Sequence, residues 1–223
     1  MPDGRPIPVL HAVSEHVVPR PPDWPAHVQN TGYWFLDQSA GWTPPADLLQ
    51  FLAAGEPPVY VGFGSMAGRN PQRLTEIVVA ALQRAGVRGL LATGWGGLDA
   101  GALPDTIFAL DQAPHDWLLP RVAAVVHHGG AGTTAAGLRA GRPTLICSFI
   151  ADQPYWGQRV HALGVGPQAI PQKRLTVERL TAALQELTRN TALRQRAAAL
   201  GEQIRAEDGV ARAVALLERI GVD

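Results

Sequence analysis

From Pro58 onward, short apolar runs alternate with longer segments whose apolar residues recur every three or four positions. The short runs predict buried strands: Val59-Tyr-Val-Gly-Phe63, Val87 to Thr93, Thr106-Ile-Phe-Ala-Leu110, Val122-Ala-Ala-Val-Val126, Pro143 to Phe149, and a shorter sixth from Val165 to Ile170. Between the first two, Leu74, Ile77, Val78, Ala81 and Leu82 share one face of a helix opened by Asn70-Pro71 and stopped by Gly86. Further helices are predicted from about Gly132 to Ala140 and from Asp152 to about Leu163. Beyond Ile170 only helical periodicity remains. Thr176 caps a helix carrying Leu180, Ala183, Leu184 and Leu187, and two more follow from Thr191 to Ile204 and from Gly209 to Ile220. Strands alternating with longer helices predict a parallel sheet covered on both faces: a doubly wound, Rossmann-like α/β domain with a helical C-terminus.

Residues 1–58 read differently. Pro19, Pro21, Pro22, Pro25, Pro44, Pro45, Pro57 and Pro58 interrupt ladders and helices alike. Only a short strand within Val9 to Val18 and a helix over Asp47–Ala54 are expected. Trp24, Tyr33, Trp34, Phe35 and Trp42 are spread between the prolines and would pin this irregular lead-in onto the domain that follows.

Composition narrows the function classes. The 223 residues carry 19 Lys+Arg against 19 Asp+Glu, so no net basicity pulls the chain toward nucleic acid or an anionic membrane. No apolar stretch approaches the ~20 residues that span a bilayer, and the N-terminus lacks a hydrophobic signal core. The single cysteine, Cys147, excludes a disulfide framework and a four-cysteine zinc site, and it reads as a small core residue in a reducing, cytoplasmic setting.

Ligands of doubly wound sheets bind at the carboxyl ends of the strands, and the chemistry-bearing residues fall there. Gly62-Phe-Gly-Ser65, Gly94 to Gly97, Gln112-Ala-Pro-His-Asp-Trp117, His128-Gly-Gly-Ala-Gly-Thr-Thr134 and Phe149-Ile-Ala-Asp-Gln153 end five successive strands. In the fourth loop, Gly129, Gly130 and Gly132 let backbone approach a ligand closely, the following helix start offers free N–H groups, and Thr133 and His128 add side-chain donors. That suits a diphosphate. His127 and His128 are adjacent, so in a strand they face opposite ways, which disfavours a two-histidine metal site and leaves His127 to the core. Asp152 is either an N-cap or a carboxylate that reaches sugar hydroxyls with the amide of Gln153. Ser65 is either a ligand donor or a cap. Trp95, Trp117 and Trp156 read as packing residues. Gly62-x-Gly64-x-x-Ala67 loosely matches a dinucleotide fingerprint, but the helix signal starts too late for it.

Several ordered strings carry a resemblance: Pro22-Asp-Trp-Pro25, Thr31-Gly-Tyr-Trp34, Val59-Tyr-Val-Gly-Phe-Gly-Ser-Met66, Ala113-Pro-His-Asp-Trp-Leu118, His127-His-Gly-Gly-Ala-Gly-Thr-Thr-Ala-Ala-Gly137, and Asp152-Gln153 with Trp156-Gly157. From about Pro19 to the end, the chain resembles the C-terminal, donor-binding domain of GT-B nucleotide-sugar glycosyltransferases, most of all sterol 3-β-glucosyltransferases and antibiotic-type enzymes. The resemblance implies a nucleotide-sugar-binding domain over residues 59–223, with 1–58 as an interdomain lead-in. It implies transfer of a hexosyl group, glucose by preference, from a UDP-sugar to a lipophilic acceptor hydroxyl such as a sterol, without a metal.

In that light His128, Gly129, Gly130, Gly132 and Thr133 would hold the diphosphate, with Ser65 on its side of the cleft. Gln112, Ala113 and His115 would lie along the nucleoside, and Asp152 and Gln153 would hold the sugar. Related plant enzymes carry a base-stacking Trp and a ribose-gripping Glu where this chain has Gln112 and Ala136. The family's acceptor-binding N-terminal domain, with its catalytic base, has no counterpart here, so no residue is assigned as base and the isolated chain is expected to turn over poorly. Two other readings are an NAD(P)-binding oxidoreductase domain and a non-catalytic interaction module.

Overall fold

The computed structural model describes residues 6–64, 70–93 and 103–221. Ser65 and the Gly94–Gly97 loop with Trp95 lie outside the described residues. The lead-in holds β1 (Val9–His11), β2 (Val28–Asn30) and α1 (Ala46–Ala53). β3 (Val59–Gly62), α2 (Pro71–Ala85), β4 (Gly89–Ala92), β5 (Ile107–Leu110), the short α3 (His115–Leu118), β6 (Ala124–His127), α4 (Ala131–Arg139), β7 (Thr144–Ile146) and α5 (Gln153–Ala162) follow. The chain closes with α6 (Val177–Arg189), α7 (Thr191–Arg205) and α8 (Gly209–Gly221).

β3 to β7 form a parallel five-stranded sheet in the order β5-β4-β3-β6-β7. The chain steps outward from β3 to β5, then crosses back to place β6 on the other side of β3. The order therefore reverses between β3 and β6, and a crevice opens at their carboxyl ends. Register sets Gly62 opposite His127 at that point.

Strand alternation divides the core. Val59, Val61 and Phe63 face one layer, with Leu74, Val78 and Leu82 of α2 and Leu180 and Leu184 of α6. Tyr60 faces the other, with Leu90, Leu110 and Val125. Asn70 caps α2 by accepting from Arg73 N–H at 3.0 Å, and Thr176 caps α6 the same way from Arg179 N–H at 3.3 Å, as their positions ahead of apolar periodicity predict.

The predicted sixth strand does not form. Residues 165–172 run beside β7 and exchange single bonds with it, Thr144 N–H to Val165 O at 3.1 Å and Ile170 N–H to Ile146 O at 3.0 Å. Pro167 has no N–H to continue the ladder, so the apolar run stays irregular.

The lead-in packs on the domain, as its aromatics predict, but with more order than the prolines suggest. β1 and β2 pair in parallel, and β2 was not foreseen. Val17 and Tyr33 are buried against Ala135 and Leu138 of α4 and Leu200 of α7. The Arg159 guanidinium donates twice to Val17 O, at 3.0 and 2.6 Å. Leu48 of α1 is completely buried in the Tyr60 layer. Leu48→Ala should therefore destabilise the domain by about 2–5 kcal/mol. Urea unfolding checks this, and a loss under ~0.5 kcal/mol would mean that α1 lies outside the cooperative core.

Candidate functional site

The site is built at the reversal point, where β6 passes into α4. Gly129 adopts φ +98°, which turns the chain out of the strand, and a Cβ there would collide with Ile146 and Gln153. Gly130 stands at the N-cap of α4 and offers no capping side chain. The first-turn N–H groups of Ala131, Gly132 and Thr133 thus have no intrahelical or capping acceptor. Thr134 does not compete for a ligand: it is buried, and its hydroxyl donates to Gly130 O at 2.9 Å. A Cβ on Gly132 would meet nothing within 4 Å, so the bare helix start faces open space with its partial positive charge.

The two histidines separate as their adjacency predicts. His127 is wholly buried, and its Nδ1 accepts the Gly129 N–H at 3.0 Å. Burial first, then the neighbouring His128 and His115, pushes its pKa down to about 3. His127 is a structural, neutral histidine that holds the turn, and its Nε2 is sealed without a partner. His128 is half-buried between the two strand ends. Its Nε2 lies 2.6 Å from where a Gly130 Cβ would sit, so only glycine leaves the imidazole beside the helix start. Burial lowers its pKa, against the opposing pull of the Gly62 backbone and the Asp152 carboxylate. Its Nδ1 is closed off from solvent without a well-formed hydrogen bond.

A cleft of about 890 Å³ opens from this point. Gly64 and Gly132 border it, and Gln112, Ala113 and His115 line it. The His115 ring meets Tyr60 edge-on at 5.9 Å, and burial lowers its pKa although Asp116 pulls the other way. Gln112 is exposed.

The wall opposite was not foreseen: it is the lead-in, residues 34–39. Asp116 holds it by accepting the Gln38 and Ser39 N–H groups at 3.3 and 3.0 Å. Arg139 holds it through a two-pronged ion pair with Asp37 while stacking on Phe35 at 4.4 Å. The far end is cationic. Arg142 and Arg205 line it, and burial together with Arg194 and Arg205 lowers the Arg142 pKa. A smaller, mainly apolar cavity of about 420 Å³ adjoins the helix start, walled by Trp24, Trp34, Tyr155 and Trp156, and shares Gly132 with the main cleft.

The sugar-binding candidates sit beyond His128, outside the main cleft. Ala151 turns the chain with a left-handed φ of +56°, strained for a residue with a side chain. Asp152 follows at the N-cap of α5 but caps nothing. Its Oδ2 accepts from the Trp156 indole at 2.7 Å, and the carboxylate stays exposed. Gln153 is buried, and its Oε1 accepts the Phe149 and Ile150 N–H groups at 2.7 and 3.1 Å. That oxygen is committed to the turn. Trp117 packs on Trp42 at 5.0 Å, as expected of a packing residue.

A Rossmann-like sheet whose reversal point carries a glycine-built, uncapped helix start is shared by many nucleotide-binding folds, and comparison with known proteins identifies this one as the C-terminal domain of a GT-B glycosyltransferase. The chain belongs to the family described as Erythromycin biosynthesis protein CIII-like, C-terminal domain, whose model matches residues 94–219. It is 47% identical over 212 residues to a sterol 3-beta-glucosyltransferase, UGT80A2, of Arabidopsis thaliana, covering 95% of this chain and 33% of that protein. It is 45% identical over 225 residues to a sterol 3-beta-glucosyltransferase of Aspergillus terreus, covering 96% of this chain and 16% of that one. The crystal structure of the glycotransferase of kitacinnamycin superposes with a TM-score of 0.77 at 27% identity, over 96% of this chain and 55% of that one. The chain thus spans a third or less of these curated relatives and about half of that solved structure.

The burial of His127 has a pH signature. Its folded pKa lies below the ordinary value of 6.5, so the unfolded chain takes up a proton first. The stability from keeping it neutral is complete above pH ~6.5 and falls away as pH drops toward 3. Between pH 6.5 and 5 the loss is about 2 kcal/mol for this group. His128 and His115, also lowered, add in the same direction. Urea midpoints at pH 7 and pH 5 should therefore converge in His127→Asn relative to the parent. A gap between the two midpoints as wide in His127→Asn as in the parent would show that His127 is not held neutral.

Proposed function

We propose that this chain holds a UDP-sugar, UDP-glucose by preference, for transfer of the hexosyl group to the hydroxyl of a lipophilic acceptor such as a sterol. The observation that carries the reading is the uncapped start of α4, opened to the cleft by Gly130 and Gly132 and flanked by His128. Three oriented N–H groups and an imidazole suit a diphosphate, and they suit it best when it leaves. As the bond from the anomeric carbon to the β-phosphate oxygen breaks, negative charge grows on that oxygen, and fixed dipoles aimed there lower the barrier without reorganising. The dianion reverses the electrostatics at His128, favouring the charged ring that burial disfavours in the free chain. In this reading the exposed Asp152 carboxylate, bonded by the Trp156 indole, takes the sugar hydroxyls together with the Gln153 amide.

Glucose and a sterol acceptor rest on the likeness to the sterol 3-beta-glucosyltransferases at 47 and 45% identity. The apolar cavity beside the helix start accords with a lipophilic acceptor lying against this domain. The acceptor's deprotonation is assigned to a domain outside these residues, so binding rather than turnover is the expected activity.

Calorimetric titration of the chain with UDP-glucose tests the proposal: heat of binding at sub-millimolar ligand is expected, and none at millimolar ligand would refute it. His128→Ala should weaken UDP about 10- to 100-fold, the range for a hydrogen bond to a charged group, while leaving uridine nearly unchanged. Equal losses for both would remove the phosphate role. Asp152→Ala should weaken UDP-glucose while sparing UDP, and a parallel loss on UDP would place the carboxylate elsewhere.

A further inference from the structure

We infer that the Tyr60 hydroxyl is a ribose contact of the donor nucleotide, an inference that rests on the nucleoside-diphosphate reading above. Tyr60 lies on β3 with its ring in the core, only 7% exposed, yet it lines the cleft. Its direction is set by Gly62, two residues on and on the same face of the strand. A Cβ at Gly62 would sit 2.5 Å from the Tyr60 hydroxyl oxygen and 2.8 Å from the ring carbon bearing it. The phenol therefore lies along the strand over Gly62, and carries its hydroxyl to the carboxyl end of β3, where the sheet order reverses. A residue with any side chain at 62 would deny it that path.

Among the described residues nothing hydrogen-bonds this hydroxyl, and burial alone pushes its pKa up to about 12. It remains a protonated donor at neutral pH, with no partner among the described residues.

Its neighbours say which part of the ligand that is. The diphosphate site is the start of α4, bordered by Gly132. Tyr60 lines the same stretch of cleft wall as Ala113 and as Ala136, which lies one helical turn or about 6 Å further along α4, and its ring meets His115 edge-on. In a nucleoside diphosphate the group between diphosphate and base is the ribose. Ala136 has no polar atom to offer a ribose hydroxyl, and Ala113 has none in its side chain. Tyr60 offers a donor and an acceptor in that stretch of the cleft, and a hydroxyl pairing with a hydroxyl satisfies both.

The test is a binding cycle on the intact chain. UDP, 2′-deoxy-UDP and 3′-deoxy-UDP are titrated into the parent and into Tyr60→Phe, which keeps the packed ring and removes only the oxygen. Tyr60→Phe should weaken UDP about tenfold. The parent should lose a similar factor on one of the two deoxy analogues, and against that analogue Tyr60→Phe should cost nothing more. If Tyr60→Phe binds UDP like the parent, or if its loss persists in full with both analogues, the ribose contact is wrong while the diphosphate site stands. If the parent binds no UDP at all, the functional reading fails and takes this inference with it.

Discussion

The structure depends on one electrostatic constraint: a helix that begins without a cap at the point where the sheet reverses. Capping is the ordinary remedy for free N–H groups, and α2, α6 and α7 all use it, through Asn70, Thr176 and Asn190. α4 begins instead on a glycine with nothing to cap it. The donors left bare there face an open cleft, so what the fold withholds is available to an anion. This is how a chain with zero formal net charge can serve a doubly charged group: the charge is met locally by backbone.

Much of the remaining architecture keeps that helix start in place and open. His127 accepts the Gly129 N–H and is locked neutral by burial, so the turn before α4 has a rigid anchor that does not compete for the anion. Gln153 ties the β7–α5 loop to itself from the other side and packs against Gly129. The lead-in closes the cleft through Asp37 on Arg139 and through the backbone of residues 38–39 on Asp116. Residues before Pro58 are therefore part of the site and not only a tether to it.

The sheet was legible because buried parallel strands read as unbroken apolar runs, and Val59–Phe63 and Val122–Val126 are such runs. The glycine turn into α4 was legible because glycine has few other uses at a strand end. What sequence periodicity could not show depends on tertiary neighbours. Val165–Ile170 has the composition of a strand, yet Pro167 and the shape of its surroundings keep it out of the ladder. Asp152 and Gln153 read as a pair, and nothing in the periodicity shows that Trp156 bonds the carboxylate or that the amide oxygen accepts from the Phe149 and Ile150 N–H groups. Tyr60 reads as one more core residue of β3, and only the space above Gly62 shows that its hydroxyl reaches the rim. The wall of residues 34–39 had a faint signal in the clustered aromatics Tyr33, Trp34 and Phe35, without any hint of which surface they meet.

The most direct measurement is amide NMR of the labelled chain during titration with UDP and, separately, with uridine. If the uncapped start of α4 is the diphosphate site, the N–H resonances of Ala131, Gly132 and Thr133 shift most with UDP and scarcely move with uridine. Shifts of the same size with both ligands, or UDP shifts centred away from these three amides, would contradict the account.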